Sequence, residues 1–312
     1  MTDEDPLRAI DLFCGAGGFS LGLQEAGILS EWAVDHWQPA VDCFNANILH
    51  ALAERADIAA DFDSLVEQVR GWGEFDVICG GPPCQDFSLN RAHEAVHGER
   101  AELTPIFARF VAAVKPKWVV MENVTVSWRA PAYARALRIL QAAGYHIHAE
   151  KVDCSRFGVP QARERLITIG RIDWLPWSIL GGLGADDHQL TMRAYFESIG
   201  EPLDCDWYIS HHQFVKMRRC VYSVDRPSVC MTTGYHQYSD YEHPLNPVPQ
   251  AQAMKLTRRQ RAAIQTFPSW YKWPDAHTPA QRLIGNAVPP ALAKRIGARI
   301  VEAEHEISNE KC

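Results

Sequence analysis

The first side chain after Gly80-Gly81-Pro82-Pro83 that can do covalent chemistry is Cys84, in the stretch Cys84-Gln85-Asp86-Phe87-Ser88. The apolar run before it, residues 75–79, reads as a buried strand. Two glycines and two prolines stop that strand abruptly. A thiol at the carboxyl end of a strand in an α/β sheet points into the crevice where such folds bind ligands. As a thiolate it is a nucleophile. The stretch also reads as a turn with an incidental buried cysteine, since free Cys is among the most buried residue types. A carboxylate follows further on: Glu122 comes directly after Trp118-Val119-Val120-Met121. Burial at the end of a neighbouring strand would raise its pKa and let it donate a proton. In Gln161-Ala162-Arg163-Glu164-Arg165, Arg163 and Arg165 share one face at strand spacing. On an edge strand they would simply be solvated.

A second set of residues could hold a ligand. Cys14-Gly15-Ala16-Gly17-Gly18-Phe19-Ser20 is a glycine-rich turn between a strand and a helix. Glycines let the backbone approach a ligand closely, and a helix N-terminus attracts negative charge. The turn is not the dinucleotide fingerprint, because Ser20 stands where the third glycine belongs, and it lacks the Lys-Ser/Thr of a phosphate loop. Asp35 lies about 20 residues on, where a doubly wound fold places the carboxylate that holds ribose hydroxyls. An exposed acid at a strand end fits that spacing equally well. Asp61 is a further acid after a short apolar run.

The elements that must position these groups alternate. Strands are expected at 9–13, 32–36, 58–62, 75–79, 117–121, 145–152 and 166–170, with helices at 21–26, 39–49, 64–70, 104–114 and 132–143. Such alternation predicts an α/β, doubly wound, mostly parallel sheet with helices on both faces. Beyond Arg171 the periodicity weakens and Gly181-Gly182-Leu183-Gly184 intervenes. A smaller second domain is therefore expected, then a final helix from about Pro290 that returns to the first. The expected division is 1–175, 176–281 and 282–312.

With 312 residues, 47% hydrophobic and 22% charged, the chain is an ordinary globular protein with room for a large core. No apolar run approaches a membrane span. The acidic start lacks the basic and apolar regions of a signal peptide. Nine scattered cysteines without a C-x-x-C pair point to a reducing cytoplasm and to neither a disulfide framework nor a metal site. The net charge of −7 is unevenly spread. Residues 1–70 carry three Lys/Arg against 13 Asp/Glu, and the rest carry 28 against 25. Two basic clusters sit late, Lys216 with Arg218 and Arg219, and Lys255 with Arg258, Arg259 and Arg261. Each reads as a solvated face or, in a common cleft, as a phosphate-neutralising surface.

Taken in order, the pieces resemble the cytosine-5 DNA methyltransferase family of the bacterial or archaeal, restriction-modification-like type. The resemblance rests on Asp11-Leu12-Phe13-x-Gly15-x-Gly17-Gly18-Phe19, Gly81-Pro82-Pro83-Cys84-Gln85-x-Phe87-Ser88, Glu122-Asn123-Val124, Gln161-x-Arg163-x-Arg165 and Gly285-Asn286-x-Val288. One piece is modest; five in order are highly specific. The resemblance implies a Rossmann-like S-adenosylmethionine methyltransferase sheet with a smaller target-recognition domain. It implies a DNA (cytosine-5-)-methyltransferase that flips its base, with Cys84 as covalent nucleophile toward C6. Glu122 would hold the N3/N4 edge and protonate N3. Arg165, with Arg163, would steady the base O2 and Glu122.

The implied cofactor is S-adenosylmethionine. Phe13 would stack on adenine, and the Gly15, Gly17 and Gly18 backbone would face the methionine part. Asp35 would take the ribose hydroxyls and Asp61, beside Phe62, the adenine amino group. His36 stands where relatives often carry tryptophan. Pro83, Leu103, Asn286 and Val288 complete the implied pocket. The implied partner is duplex DNA. Gln85, Ser88 and Arg100 belong to a loop over 85–103 that would close on the flipped base. Here Gly98-Glu99-Arg100 replaces the family's acid-x-Arg. Lys216, Arg218, Arg219, Arg258 and Arg259 are candidate DNA contacts, with Thr232 and Thr233 in the segment supporting recognition. A cognate restriction endonuclease, a monomeric state and a cytoplasmic, nucleoid-associated location complete the expectation, with no membrane partner.

Three rivals remain at this level. A transfer-RNA methylating relative would carry Cys-Phe-Thr in the recognition region, and Cys43-Phe44-Asn45 lies in the wrong domain. A non-catalytic DNA-binding module has no need of Cys84, Glu122 and Arg165. A Rossmann oxidoreductase lacks its fingerprint here and leaves Cys84 unexplained.

Overall fold

The computed structural model describes residues 6–83, 102–172, 188–211, 219–233 and 246–311. These divide between two compact units, one within Met1–Val152, Glu164–Gly184 and Ala293–Cys312, the other within Asp153–Arg163 and Ala185–Leu292.

The first unit is built on a seven-stranded sheet. Its strands are β1 (Leu7–Leu12), β2 (Ile28–Asp35), β3 (Leu52–Arg55), β4 (Val77–Gly80), β5 (Trp118–Val124), β6 (Tyr145–Asp153) and β8 (Glu164–Ile172). The two-residue β7 (Gln161–Ala162) lies in the second unit. The sheet order is β3-β2-β1-β4-β5-β8-β6. β1 lies parallel to β2 and β4, as do β3 to β2 and β5 to β4, while β8 runs antiparallel to β5. The order reverses direction between β1 and β4, the switch point at which such sheets open a crevice beyond their carboxyl ends. The connecting helices are α1 (Gly18–Glu25), α2 (Gln38–Asn45), α3 (Phe62–Gly71), α4 (Leu103–Val114) and α5 (Pro131–Ala142). Their apolar stripes, such as Phe107, Phe110 and Val111 on α4, pack on Ile10, Ile78 and Val119 of the strands.

One expected strand is corrected. Residues 58–61 form a turn, and the third strand is instead Leu52–Arg55. The Asp57 carboxylate accepts from Ala59 N and Ala60 N at 2.9 and 3.3 Å, which closes a turn that apolar content alone hides. Leu52 is 65% exposed on the sheet edge, so that strand carries no buried signature.

The second unit holds a three-stranded sheet of β9 (Trp207–His211), β10 (Arg219–Ser223) and β12 (Met254–Lys255), with β9 in the middle. The short β11 (Ser228–Val229) pairs with β7. Among the described residues three helices accompany them, α6 (Met192–Ser198), α7 (Arg258–Ile264) and α8 (His277–Asn286). Thr257 and Gln260 form a capping box at the start of α7. Met192, Phe196, Tyr208, Met231 and Ile264 make the core. The expected boundary at 175/176 falls outside the described residues. Asp153–Arg163 and residues 282–292 lie with the second unit rather than the first, because β7 pairs with β11 and Arg163 bonds to the end of α8.

The last helix, α9 (Pro290–Lys311), packs on the first unit from Ala293 onward. Glu304 accepts from Trp118 Nε1 at 2.7 Å and from Arg171 Nε at 2.9 Å, tying the helix to β5 and β8. Among the described residues no helix is long and apolar enough to cross a membrane.

Candidate active site

β5 does not stop at Met121. It continues through Glu122 and Asn123 to Val124, paired throughout with β8, so Val124 faces Arg165 in register. The Glu122 carboxylate is nearly buried, and Arg165 Nε stands 2.7 Å from its Oε1. The N–H is not aimed along that line, so the contact is an ion pair by distance rather than an aligned hydrogen bond. Arg165 also donates from Nη1 to the Glu164 carbonyl at 2.7 Å. A buried carboxylate needs such a partner, since removing it leaves an uncompensated charge.

β4 ends beside this pair. Gly80 registers with Met121, and the chain then runs through Gly81-Pro82-Pro83 toward Cys84. A Cβ on Gly81 would lie 3.4 Å from Glu122 Oε2, so the backbone leading to Cys84 passes directly against the carboxylate. Asn123 Nδ2 donates to the Pro82 carbonyl at 3.4 Å. Asn123 Oδ1 accepts from Ser127 Oγ at 2.6 Å and from Val124 N at 3.1 Å. Pro83 is half-buried. Cys84, Gln85, Ser88 and Arg100 lie outside the described residues.

The glycine turn follows β1. Phe13 has φ 60°, a left-handed conformation that costs a non-glycine residue about 1 kcal/mol and clusters at functional sites. Gly15 and Gly17 follow at φ 54° and 79°, and Gly17 caps α1, whose first residue is Gly18. Asp35, at the end of β2, locks the turn: its Oδ2 accepts from Gly15 N at 3.0 Å and its Oδ1 from Trp37 N at 2.9 Å. His36 Nδ1 lies 3.3 Å from Asp35 Oδ1, with its side chain largely exposed. A Cβ on Gly15 would meet nothing within 4 Å, so the turn faces open space. Asp61 sits at the start of α3 and accepts from Asp57 N at 3.0 Å. Asp61, Phe62, Ile106 and Arg109 line a cleft of about 290 Å³, with the Arg109 guanidinium 4.8 Å from the Phe62 ring. Leu103 opens the same α4 that carries Ile106 and Arg109, three residues apart on one face.

Beneath the turn lies a group to which the sequence assigned no role. Asp11 is fully buried, and burial pushes its pKa up to about 7 against hydrogen bonds from Ser20 and the Cys79 thiol. Ser20 Oγ donates at 2.8 Å. Burial likewise pushes the Cys14 and Cys79 thiols up, so both are inert.

In the second unit, Arg163 does not share a strand face with Arg165, because the strand breaks between β7 and β8 at residue 163. Its guanidinium is buried and donates to the carbonyls of Met231, Gly285 and Ala287 at 3.4, 3.2 and 3.1 Å. It thereby holds the turn that carries the exposed Asn286 and the buried Val288. A Cβ on Gly285 would press to 2.6 Å of the Thr232 backbone, so only glycine fits against the Thr232-Thr233 segment. Gln161 bridges the same region, donating to Gln265 Oε1 at 2.8 Å and accepting from Met231 N at 2.7 Å. Arg258 donates to the Pro274 and Asp275 carbonyls, both at 2.9 Å, and Arg259 pairs with Glu201. Lys216, Arg218 and the Arg219 side chain lie outside the described residues.

A mostly parallel sheet with a glycine turn, a strand-end acid and a buried Glu–Arg pair defines an α/β transferase of methyltransferase type. The chain belongs to the C-5 cytosine-specific DNA methylase family, whose model matches residues 7–185 and 204–302. It is 36% identical to the Type II methyltransferase M.HgiDI of Herpetosiphon aurantiacus, over 92% of each chain. It is 32% identical to the Type II methyltransferase M.HindV of Haemophilus influenzae, over 96% of this chain and 98% of that one. Its fold is similar to a methyltransferase encoded within an Escherichia coli prophage, with TM-score 0.72 and 20% identity over 96% of this chain and 99% of that one. The S. pombe Dnmt2 methyltransferase gives 0.69, also at 20% identity and the same coverage.

Proposed function

We propose that the enzyme transfers a methyl group from S-adenosylmethionine to C5 of cytosine in a specific duplex DNA sequence, through base flipping and a covalent Cys84–C6 adduct. The observation that carries this reading is the Glu122–Arg165 pair, held against the backbone that leads to Cys84. C5 of cytosine is a poor nucleophile. The Cys84 thiolate adds its electron pair to C6 while Glu122, which takes up a proton from water as the base enters, gives it to N3, and this leaves C5 as an enamine-like carbon. C5 then takes the methyl group, and its proton leaves to water. The C6–S bond breaks to return the thiolate, and the N3 proton goes back to Glu122. Arg165 keeps the Glu122 carboxyl oriented through these steps.

The residues of the first unit suit the cofactor. The open face at Gly15, the strained Phe13, Asp35 with lone pairs to spare and the cleft at Asp61 and Phe62 would hold its methionine, ribose and adenine parts. When bound, S-adenosylmethionine supplies the methyl group at a sulfonium centre. In this reading the second unit recognises the sequence, the enzyme acts as a monomer on nucleoid DNA in the cytoplasm, and a cognate restriction endonuclease is its partner.

The test is covalent trapping. The protein is incubated with S-adenosylmethionine and duplex DNA containing 5-fluorocytosine, whose fluorine blocks the elimination. A denaturing-stable adduct mapped to Cys84 by mass spectrometry is the expected result. An adduct on fluorocytosine RNA and none on DNA would replace the DNA substrate with RNA. No adduct on either, with cofactor bound, would leave a non-catalytic module.

A further inference from the structure

On the first unit, the short 3-10 helix Thr125–Arg129 follows β5 directly. It presents Trp128, 51% exposed, to solvent. Two cations lie on that ring: Lys151 Nζ at 4.8 Å and Arg129 Cζ at 5.7 Å from its centroid. Lys151 comes from β6, two strands away. Its ammonium reaches a ring in the segment that directly follows the last residue of β5, so the lysine head group belongs to the same end of the sheet as Glu122.

The charges of this patch are left uncompensated. Arg8, Arg135, Arg171, Arg193 and Arg259 each pair with a carboxylate. Among the described residues Lys151 and Arg129 pair with none. Glu150 does not serve, because it alternates to the other face of β6 and lies 3.8 Å from His148. Two unneutralised cations held over the face of an exposed tryptophan form a preorganised anion site.

We infer that Trp128, Arg129 and Lys151 form a phosphate clamp for the DNA backbone on the catalytic unit, outside the recognition region. Lys151 and Arg129 bind phosphates of the strand that passes the Glu122 end of the sheet, and Trp128 is a positioning residue that holds the Lys151 ammonium. The clamp rests on DNA being the substrate. Its role is to fix the register of the duplex over the site and not to read sequence.

The test uses the full chain and a fluorescein-labelled mixed-sequence duplex, with affinity followed by anisotropy across a salt series. Lys151→Ala and Arg129→Ala should each lower the slope of log affinity against log salt by about one. Lys151→Arg should keep the slope. Trp128→Ala should weaken binding roughly two- to fivefold, as loss of an exposed cation–π contact implies, and Trp128→Phe should restore part of it. Thermal melts of Lys151→Ala and Arg129→Ala should stay close to the wild type, because both side chains are exposed, and Trp128→Ala should lower the midpoint by a few degrees at most. Unchanged slopes and affinities in a chain that still methylates DNA would overturn the clamp and leave the DNA substrate standing. Failure of the wild type to transfer labelled methyl to any DNA would overturn the substrate, and the clamp with it.

Discussion

Asn123 Nδ2 donates to the carbonyl of Pro82 at 3.4 Å, two residues before Cys84. The strand that bears the candidate acid is thereby tied to the turn that bears the candidate nucleophile. Ser127, only 1% exposed, fixes the orientation of that amide by donating to Asn123 Oδ1 at 2.6 Å.

Ser127→Ala should therefore disturb the nucleophile and not the cofactor. The loss removes a buried hydrogen bond to Asn123 Oδ1, worth about 1 kcal/mol. The expected outcome is a several-fold lower kcat with unchanged S-adenosylmethionine affinity by calorimetry. Equal loss of both would make Ser127 a general fold residue.

Glu122 and Arg165 should separate chemistry from stability. Glu122→Gln removes the proposed proton donor and should lower kcat by about 10² to 10⁴, while S-adenosylhomocysteine still binds. Arg165→Ala leaves a buried carboxylate without its cation and should destabilise by about 3–5 kcal/mol as well as slow turnover. Thermal melts beside single-turnover rates read the difference. A glutamine variant with near-normal rates would remove Glu122 from the reaction.

Much of the described site is legible in the sequence, because glycine turns and strand ends are local signals. The strand at Leu52–Arg55 is not, since its edge position exposes Leu52, whereas the buried Ile58 sits in a turn made by Asp57. Arg163 and Arg165 look equivalent at a spacing of two. A break in the strand sends one to backbone carbonyls and the other to Glu122. Ser127 carries no signal at all, and Asp11 is legible only as a motif residue, because their roles depend on partners that only the folded chain brings near.

Gly15→Ala tests the open face of the glycine turn. At φ 54° an alanine is strained by about 1 kcal/mol, and its methyl group enters space that no protein atom fills. Cofactor affinity measured by calorimetry should fall at least tenfold while the thermal midpoint moves only a few degrees. Undiminished affinity would place the methionine part of the cofactor elsewhere.

Asp11 gives the turn a pH signature of unusual sign. Burial raises its pKa from 3.8 to about 7, so the folded chain holds a proton there that the unfolded chain has released. Between about pH 4 and pH 7 this group alone makes stability fall as pH rises, at most by about 1.4 kcal/mol per pH unit. Paired carboxylates with lowered pKa values act in the opposite direction, so the term must be isolated by difference. Asp11→Asn keeps an acceptor for Ser20 and carries no charge at any pH. The stability of the wild type relative to Asp11→Asn should be greatest near pH 4 and decline steadily to about pH 7, then level off. Denaturant titrations of both proteins across that range read the difference directly. A constant difference would mean that Asp11 is ionised in the folded chain, with a cation or an ordered donor at the turn compensating it.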